Sequence, residues 1–174
     1  MPRGRRADSG GPLDTVPRYG ANHRDDPEGA RALLRQDLLP ADQRPEIAAE
    51  EVEEIRRRCD NPPYLLQLVG KRRLECGNLE HAIEEVATDQ MVAYFFSVDF
   101  EMLSEPEQRI VRLLADGPEA SDAAIRKEVA LGEDALQDTL RRQQNLGFIR
   151  RDDNGKFGLA NYFFRRWLQG MSQI

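Results

Sequence analysis

The residues of this sequence whose types and spacing could do chemistry are mainly paired cations. Adjacent basic residues occur at 126–127, 141–142 and 150–151, and a lysine follows at 156. Such side chains contact phosphates, and these contacts position a protein on nucleic acid without specifying sequence. Gln137 carries an amide of the kind that reads base edges. The candidate DNA contacts are therefore Arg126, Lys127, Gln137, Arg141, Arg142, Arg150, Arg151 and Lys156.

Residues for catalysis or metal binding form no recognisable group. The histidines are His23 and His81, and no nucleophile, base or carboxylate pair is placed to form an active site. Cys59 and Cys76 lie in apolar helical contexts, so we expect two buried thiols rather than a disulfide or a zinc site. We predict no enzyme, no catalytic residue, no cofactor and no metal.

The elements that would position the cations begin with a helix at Ser104. A hydroxyl there and the carboxylate of Glu107 have capping-box spacing. The glycine of the pair Gly117-Pro118 predicts a left-handed helix end, followed by a residue that cannot extend the helix. The predicted buried face consists of Ile110, Leu113 and Leu114.

A second helix is capped by Ser121, and a short turn at 130–132 leads to a third helix that ends at 145–147. Residues 148–151 and 156–159 predict two strands, and the intervening Asn154-Gly155 suits a hairpin turn. This order predicts a winged helix-turn-helix; the alternative is an ordinary helical hairpin followed by a β-hairpin. The predicted buried residues of these two helices are Ala124, Ile125, Val129, Leu136 and Leu140.

Residues 162–168 predict a closing helix with Phe163 or Phe164, Trp167 and Leu168 on the core. The alternative is an aromatic site on which bases stack. Residues 1–27 are rich in Arg, Gly and Pro and poor in apolar residues, which predicts a disordered tail. That tail could also contact phosphates as a basic arm.

The part from 28 to 103 predicts a helical bundle. We expect a short helix that begins at Pro27-Glu28 and a second that has Pro45 in its first turn. A break at 61–63 precedes a third, which ends at Gly77, and Asn78 caps a long fourth. The predicted buried residues are Ala32, Leu33, Leu38 or Leu39, Ala48, Val52, Ile55, Cys59, Tyr64, Leu65, Leu68, Val69, Leu79, Ile83, Val86, Ala87, Met91, Tyr94 and Phe95.

Charge is distributed unevenly along the chain. Residues 28–103 contain 9 Lys or Arg and 16 Asp or Glu, whereas residues 104–174 contain 11 of each. A protein that wraps nucleic acid normally has a net basic domain, so any DNA binding must depend on a local patch. No apolar run reaches the length of a membrane span, and we expect a cytoplasmic protein with no membrane partner.

Residues 61–68, Asn-Pro-Pro-Tyr-Leu-Leu-Gln-Leu, resemble the start of a helix in the lid subdomain of AAA+ ATPases, particularly the STAND and archaeal-type P-loop ATPases. The resemblance continues through 103–108 and 164–168 and covers roughly 28–169. It implies a mainly α protein: a helical lid-like subdomain at 28–103, then a winged helix-turn-helix domain at 104–174.

The sequence departs from this family at the residues that hold a nucleotide. The 174 residues contain no Gly-x-x-x-x-Gly-Lys-Ser/Thr, so no loop cradles phosphates. Asp60-Asn61 stand where such lids usually have a glycine, and Tyr64 stands where some place a phosphate-sensing arginine.

Two functions follow from these observations. The first is a non-catalytic lid and winged-helix portion of an AAA+/STAND-like ATPase, binding double-stranded DNA or a protein partner. The alternative is a protein-interaction module that docks on a separate ATPase core or another subunit and binds no DNA. Glu133, Asp134 and Asp138 favour the alternative, because they place carboxylates where a recognition helix usually meets the groove.

Overall fold

The computed structural model describes residues 26–60 and 62–171. The predicted tail therefore lies outside the described residues, except for its last two, where the helix predicted from Pro27-Glu28 begins. The Asp26 carboxylate accepts a hydrogen bond from the Gly29 amide at 2.7 Å and caps a helix that begins at Pro27. Asn61 of the predicted break also lies outside the described residues, and Pro63 begins the next helix.

The predicted mainly helical fold with a small antiparallel hairpin near the C-terminal end is confirmed. Two cores divide the described helices between them, the first formed mainly by α1–α4 and the second mainly by α6–α8 and the hairpin. The helices are α1 Pro27–Arg35, α2 Ala49–Cys59, α3 Pro63–Cys76, α4 Leu79–Ala87, α5 Gln90–Glu101, α6 Glu105–Asp116, α7 Asp122–Val129, α8 Glu133–Leu146 and α9 Tyr162–Met171. The strands are β1 Ile149–Arg151 and β2 Phe157–Leu159.

The first core differs from prediction at α1. That helix buries Ala30 and Leu34, whereas the predicted Ala32 and Leu33 are only partly buried. Leu38 and Leu39 are exposed, because the helix already ends at the left-handed Gln36. Helix α1 approaches α3 closely at Gly70, where a Cβ atom would lie 3.0 Å from Cδ2 of Leu34.

Helix α2 begins at Ala49 and not near Pro45, which corrects the second predicted helix. The Ala48 amide donates to the Glu51 carboxylate at 3.3 Å, which fixes this later start. Ala48 itself is exposed, whereas Val52, Ile55 and Cys59 are buried as predicted. Cys76 is exposed, so the prediction of two buried thiols was right only for Cys59.

The predicted fourth helix is two helices, α4 and α5. Its break lies at Asp89, whose carboxylate accepts hydrogen bonds from the Met91 and Val92 amides at 2.8 and 3.2 Å and caps α5. The new helix start changes which side faces the core: Val92 and Phe100 are buried. The predicted core residues Met91, Tyr94 and Phe95 are instead exposed.

Helix α6 begins as predicted, because the Glu107 carboxylate accepts hydrogen bonds from the Ser104 amide at 2.8 Å and the Ser104 hydroxyl at 2.6 Å. Ile110 and Leu114 are buried as predicted, and Leu113 only partly. The predicted left-handed end at Gly117 is wrong, since that residue is extended with φ −120°. It leads into an extended segment in which Ala120 and Phe157 exchange backbone hydrogen bonds of 2.8 Å.

Helices α7 and α8 lie where the second and third helices of this part were predicted. The Ser121 hydroxyl accepts from the Ala124 amide and caps α7, but Ala124 is exposed and does not join the core as predicted. Gly147 ends α8 in a left-handed conformation. The predicted hairpin pairs β1 with β2 in antiparallel register, and Gly155 in its turn has φ +79°. The remaining residues predicted to be buried in these two helices are buried: Ile125, Val129, Leu136 and Leu140.

Helix α9 packs on both cores, as expected of a closing helix. Phe163 belongs to the first core, and Phe164 and Leu168 belong to the second. The ring of Trp167 stacks on Phe164 with centroids 5.7 Å apart and contacts two rings of α5. The predicted division at 103/104 stays a prediction, because α5 and α9 both join the two cores.

We expect Asn161→Ala to lower the free energy of unfolding by about 2–3 kcal/mol. The buried Asn161 amide donates to the carbonyl of Cys59 at 2.9 Å and accepts from the amides of Phe163 and Phe164. Alanine removes the cap of α9 and leaves the Cys59 carbonyl without that donor. Urea denaturation measures the change, and Asn145→Ala on exposed α8 surface is the control, with an expected change within about 0.5 kcal/mol. Equal effects of the two substitutions would contradict the prediction.

Candidate functional site

The predicted recognition helix α8 carries carboxylates that engage its own candidate contacts. Arg126 of α7 forms an ion pair with Glu133 at the start of α8. The Gln137 amide donates to Asp122 at 3.0 Å and lies 3.5 Å from a Glu133 oxygen. A base edge or a phosphate approaching here would therefore meet one paired cation, an engaged amide and two carboxylates.

The two arginines late on α8 differ in exposure and partner. Arg141 is largely exposed, and its nearest carboxylate is Asp138 at 4.0 Å. Arg142 is paired with Glu107, whose side chain is only 2% exposed. The neighbouring Gln143 is buried, and its amide donates to the Glu107 carbonyl at 2.9 Å. Arg142 thus already neutralises a buried carboxylate of α6.

Burial and hydrogen bonding act in opposite directions on Glu107. Desolvation raises the pKa of its carboxyl, but hydrogen bonds from Ser104 and the ion pair with Arg142 outweigh that effect, and the net pKa is lowered from 4.5. The ionised carboxylate therefore contributes to stability above the pKa of the unfolded chain. That contribution is lost as the pH falls through the lower pKa of the folded chain.

The three cations of the hairpin differ in how far they are engaged within the protein. Arg151 donates to the Gly155 carbonyl at 3.0 Å, lies 3.7 Å from Asp122 and covers the Phe157 ring. Arg150 and Lys156 are exposed and, among the described residues, have no ion pair within 4.0 Å. Lys127 on α7 is exposed in the same way.

Arg165 of α9 was missed by the sequence reasoning. It lies with Arg150 and Lys156 around a small notch at the base of the hairpin, together with Glu119 and Asp152. Its guanidinium donates to the Gly117 carbonyl at 2.7 Å, and burial, followed by repulsion from Arg150, lowers its pKa. The signal was absent because 165 is remote in sequence from the hairpin.

A second missed feature is the outer face of α5, which we call the α5 apolar face. Five large apolar side chains lie on it at helical spacing, and all are exposed: Met91, Tyr94, Phe95, Val98 and Met102. The Phe95 ring meets Tyr64 of α3 edge-to-face at 5.3 Å, which extends the surface. The apolar stripe was visible in the sequence, but the break at Asp89 that turns it outward was not recognised.

The basic residues that follow the lid-like motif are engaged within the bundle. Arg73 donates to Glu51 at 2.6 Å, and Arg72 pairs with Glu75 at 3.1 Å. Lys71 lies 3.7 Å from Glu75 and borders a groove between α1 and α3 whose lining also includes four leucine side chains. This groove therefore brings no cluster of cations to one point.

Residues 26–60 and 62–171 contain neither a metal-binding cluster nor a helix that could span a membrane. Three or more His, Cys, Asp or Glu side chains come together nowhere in these ranges in a way that could hold a metal ion. Within the same ranges, each helix is too short or too polar to cross a bilayer.

The comparisons with known proteins include a solved structure with a similar fold. No protein-family model matches the chain, and no curated protein matches it. Among solved structures, the chain is similar to a Walker-type ATPase of Pyrococcus abyssi, with a TM-score of 0.53 and 19% sequence identity over 86% of this chain. The chain spans 42% of that ATPase's length. At this identity the similarity concerns the fold alone.

We expect Glu107→Gln to destabilise the protein by about 2 kcal/mol at pH 7, because the amide cannot form the buried ion pair with Arg142. The difference from the wild type should shrink as the pH falls from 4.5, the ordinary pKa of the unfolded chain, through the lower pKa of the folded carboxyl. Urea denaturation at several pH values measures it. The exposed Glu128→Gln serves as control, and a difference independent of pH at Glu107 would contradict the assignment.

Proposed function

We propose that this chain forms the lid and winged-helix portion of an AAA+/STAND-like ATPase, is itself non-catalytic, and binds a protein partner. The observation that carries the proposal is the order of elements: a helical bundle, then three helices, a hairpin and a closing helix shared by both cores. The fold similarity to part of a Walker-type ATPase supports it. So does the resemblance of residues 61–68 to the start of a lid helix.

Two observations favour a protein over DNA as the partner. Carboxylates surround the start of α8, where Glu133 and Asp122 already hold Arg126 and Gln137. Like charges that face a phosphate backbone reduce affinity, and cations that are already paired release fewer counterions. The exposed α5 apolar face, in contrast, suits a protein surface.

DNA remains the second candidate because of the hairpin. Arg150, Lys156 and Lys127 are exposed, and Arg165 adds a further positive charge at the base of the hairpin. A wing with free cations can contact phosphates even where the recognition helix is acidic. This candidate uses the predicted contacts on the hairpin and leaves those on α8 engaged within the protein.

Salt-dependent binding to a random-sequence duplex separates the two candidates. If the natural partner is a protein, we expect the chain to bind this duplex with a Kd weaker than about 10 µM near physiological salt. The double substitution Arg150→Ala with Lys156→Ala should not change that Kd. DNA as the partner would require tighter binding, and this pair of substitutions would then reduce the salt slope by about 2. The control, Arg35→Ala with Lys71→Ala, removes two exposed cations of α1 and α3. Fluorescence anisotropy measures both quantities.

Nucleotide turnover tests the non-catalytic part of the proposal. The purified full chain should show no ATP hydrolysis above background with Mg²⁺, because the sequence contains no phosphate-cradling loop with its lysine. A phosphate-release assay measures this, with EDTA as the blank. Turnover that requires Mg²⁺ and persists through further purification would overturn the proposal.

A further inference from the structure

We propose that the α5 apolar face is a docking site for a basic amphipathic helix of a partner protein. This inference rests on the proposed function and names the chemistry of the partner. Its starting point is a helix that buries one side, through Val92, Phe96 and Phe100, and leaves its opposite side apolar and exposed.

The exposure along this face is large. Relative exposures are 56% at Met91, 60% at Tyr94, 42% at Phe95, 39% at Val98 and 75% at Met102. Taken together, these side chains expose roughly 500 Å², which is within the range of the largest apolar patch on a typical monomer. Patches of this size are often functional, and methionine side chains adapt to the shape of a partner.

The charges beside the face select the partner's charge. Asp99 and Glu101 are exposed and flank the stripe on its two sides, since on a helix of 3.6 residues per turn they lie to the left and right of Val98 and Met102. Among the described residues, neither has an ion pair within 4.0 Å. Surrounding groups desolvate the Asp99 carboxyl and raise its pKa, which a partner's cation would reverse.

The wider field of the bundle favours the same partner. Residues 28–103 carry a net charge of −7, from 9 basic and 16 acidic residues. Such a surface attracts a cationic segment and repels nucleic acid and anionic lipid.

The size of the face fits one helix better than a second copy of the chain. Helix α5 is about 18 Å long, the length that a partner helix of a few turns can cover. A standard interface buries about 800 Å² on each partner, more than this face offers. Two copies would also bring together two bundles that each carry a net charge of −7, which costs affinity.

Three labelled helical peptides, each about five turns long, test the proposal with the full chain. The first has a leucine stripe flanked by lysines, the second has glutamates in place of the lysines, and the third scrambles the first. We expect the lysine-flanked peptide to bind at least about 10-fold more tightly than either other peptide, in the micromolar range. Fluorescence anisotropy at low and moderate salt measures the affinities.

Variants of the chain locate the binding. Tyr94→Ser with Val98→Ser should weaken binding at least about 10-fold. Leu74→Ser with Met171→Ser, a matched pair of exposed apolar residues elsewhere, should not change it. Asp99→Lys with Glu101→Lys should reverse the preference, so that the glutamate-flanked peptide binds more tightly. Circular dichroism checks that each variant is folded.

Several results would overturn the inference. Equal affinity for the scrambled peptide, or no reversal with the lysine variant, would mean nonspecific contact. If the chain self-associates and Tyr94→Ser with Val98→Ser abolishes that association, a second copy is the occupant. Tighter binding by a chain without residues 1–25 would identify that segment as the occupant. If the lysine-flanked peptide does not bind, and the chain shows neither ATP turnover nor DNA binding, only this inference is removed. ATP turnover or DNA binding would instead contradict the proposed function.

Discussion

The side-chain amide of Asn161 is the interaction on which the arrangement of the two cores most depends. Its nitrogen binds the Cys59 carbonyl at the end of α2, and its oxygen receives the first free amides of α9. Both groups belong to helix ends that have no partner within their own helix. One side chain therefore satisfies two helices that are 102 residues apart in sequence. Because α9 also supplies aromatic rings to both cores, this bond fixes how they meet.

The charged residues of the C-terminal part follow a related pattern of internal satisfaction. Glu107 caps α6, is buried, and takes its counter-charge from Arg142. Arg126 is likewise held by Glu133. Cations that a sequence offers to an external anion are thus used to fold the unit. Exposed cations of this part without an ion pair among the described residues include Arg150 and Lys156 of the hairpin and Lys127 of α7.

Local signals in the sequence were sufficient to predict most elements of the C-terminal part. Ser104 with Glu107, Ser121 and Asn154-Gly155 each act within a few residues, so their effects do not depend on tertiary contacts. Gly117 was predicted wrongly because the pairing of Ala120 with Phe157 pulls the chain into an extended path. A contact across that distance in sequence leaves no local pattern.

The candidate surfaces were harder to predict, for the same reason. The predicted cations on α7, α8 and the hairpin could be chosen by residue type, but their ion pairs depend on which helices meet. Asp89 could have been read as a helix cap within the long apolar stretch, and the stripe after it would then have rotated away from the core. Arg165 joins the hairpin only through the fold, so no inspection of neighbouring residues would have found it.

The position of Trp167 has a practical consequence. It is the one tryptophan of the sequence, and its ring lies against Phe164 of its own helix and against Phe96 and Phe100 on the inner side of α5. Its intrinsic emission therefore originates at the contact between α5 and α9. A shift in wavelength or intensity reports separation of these helices without any attached dye. Tryptophan fluorescence therefore reports whether the two cores remain in contact.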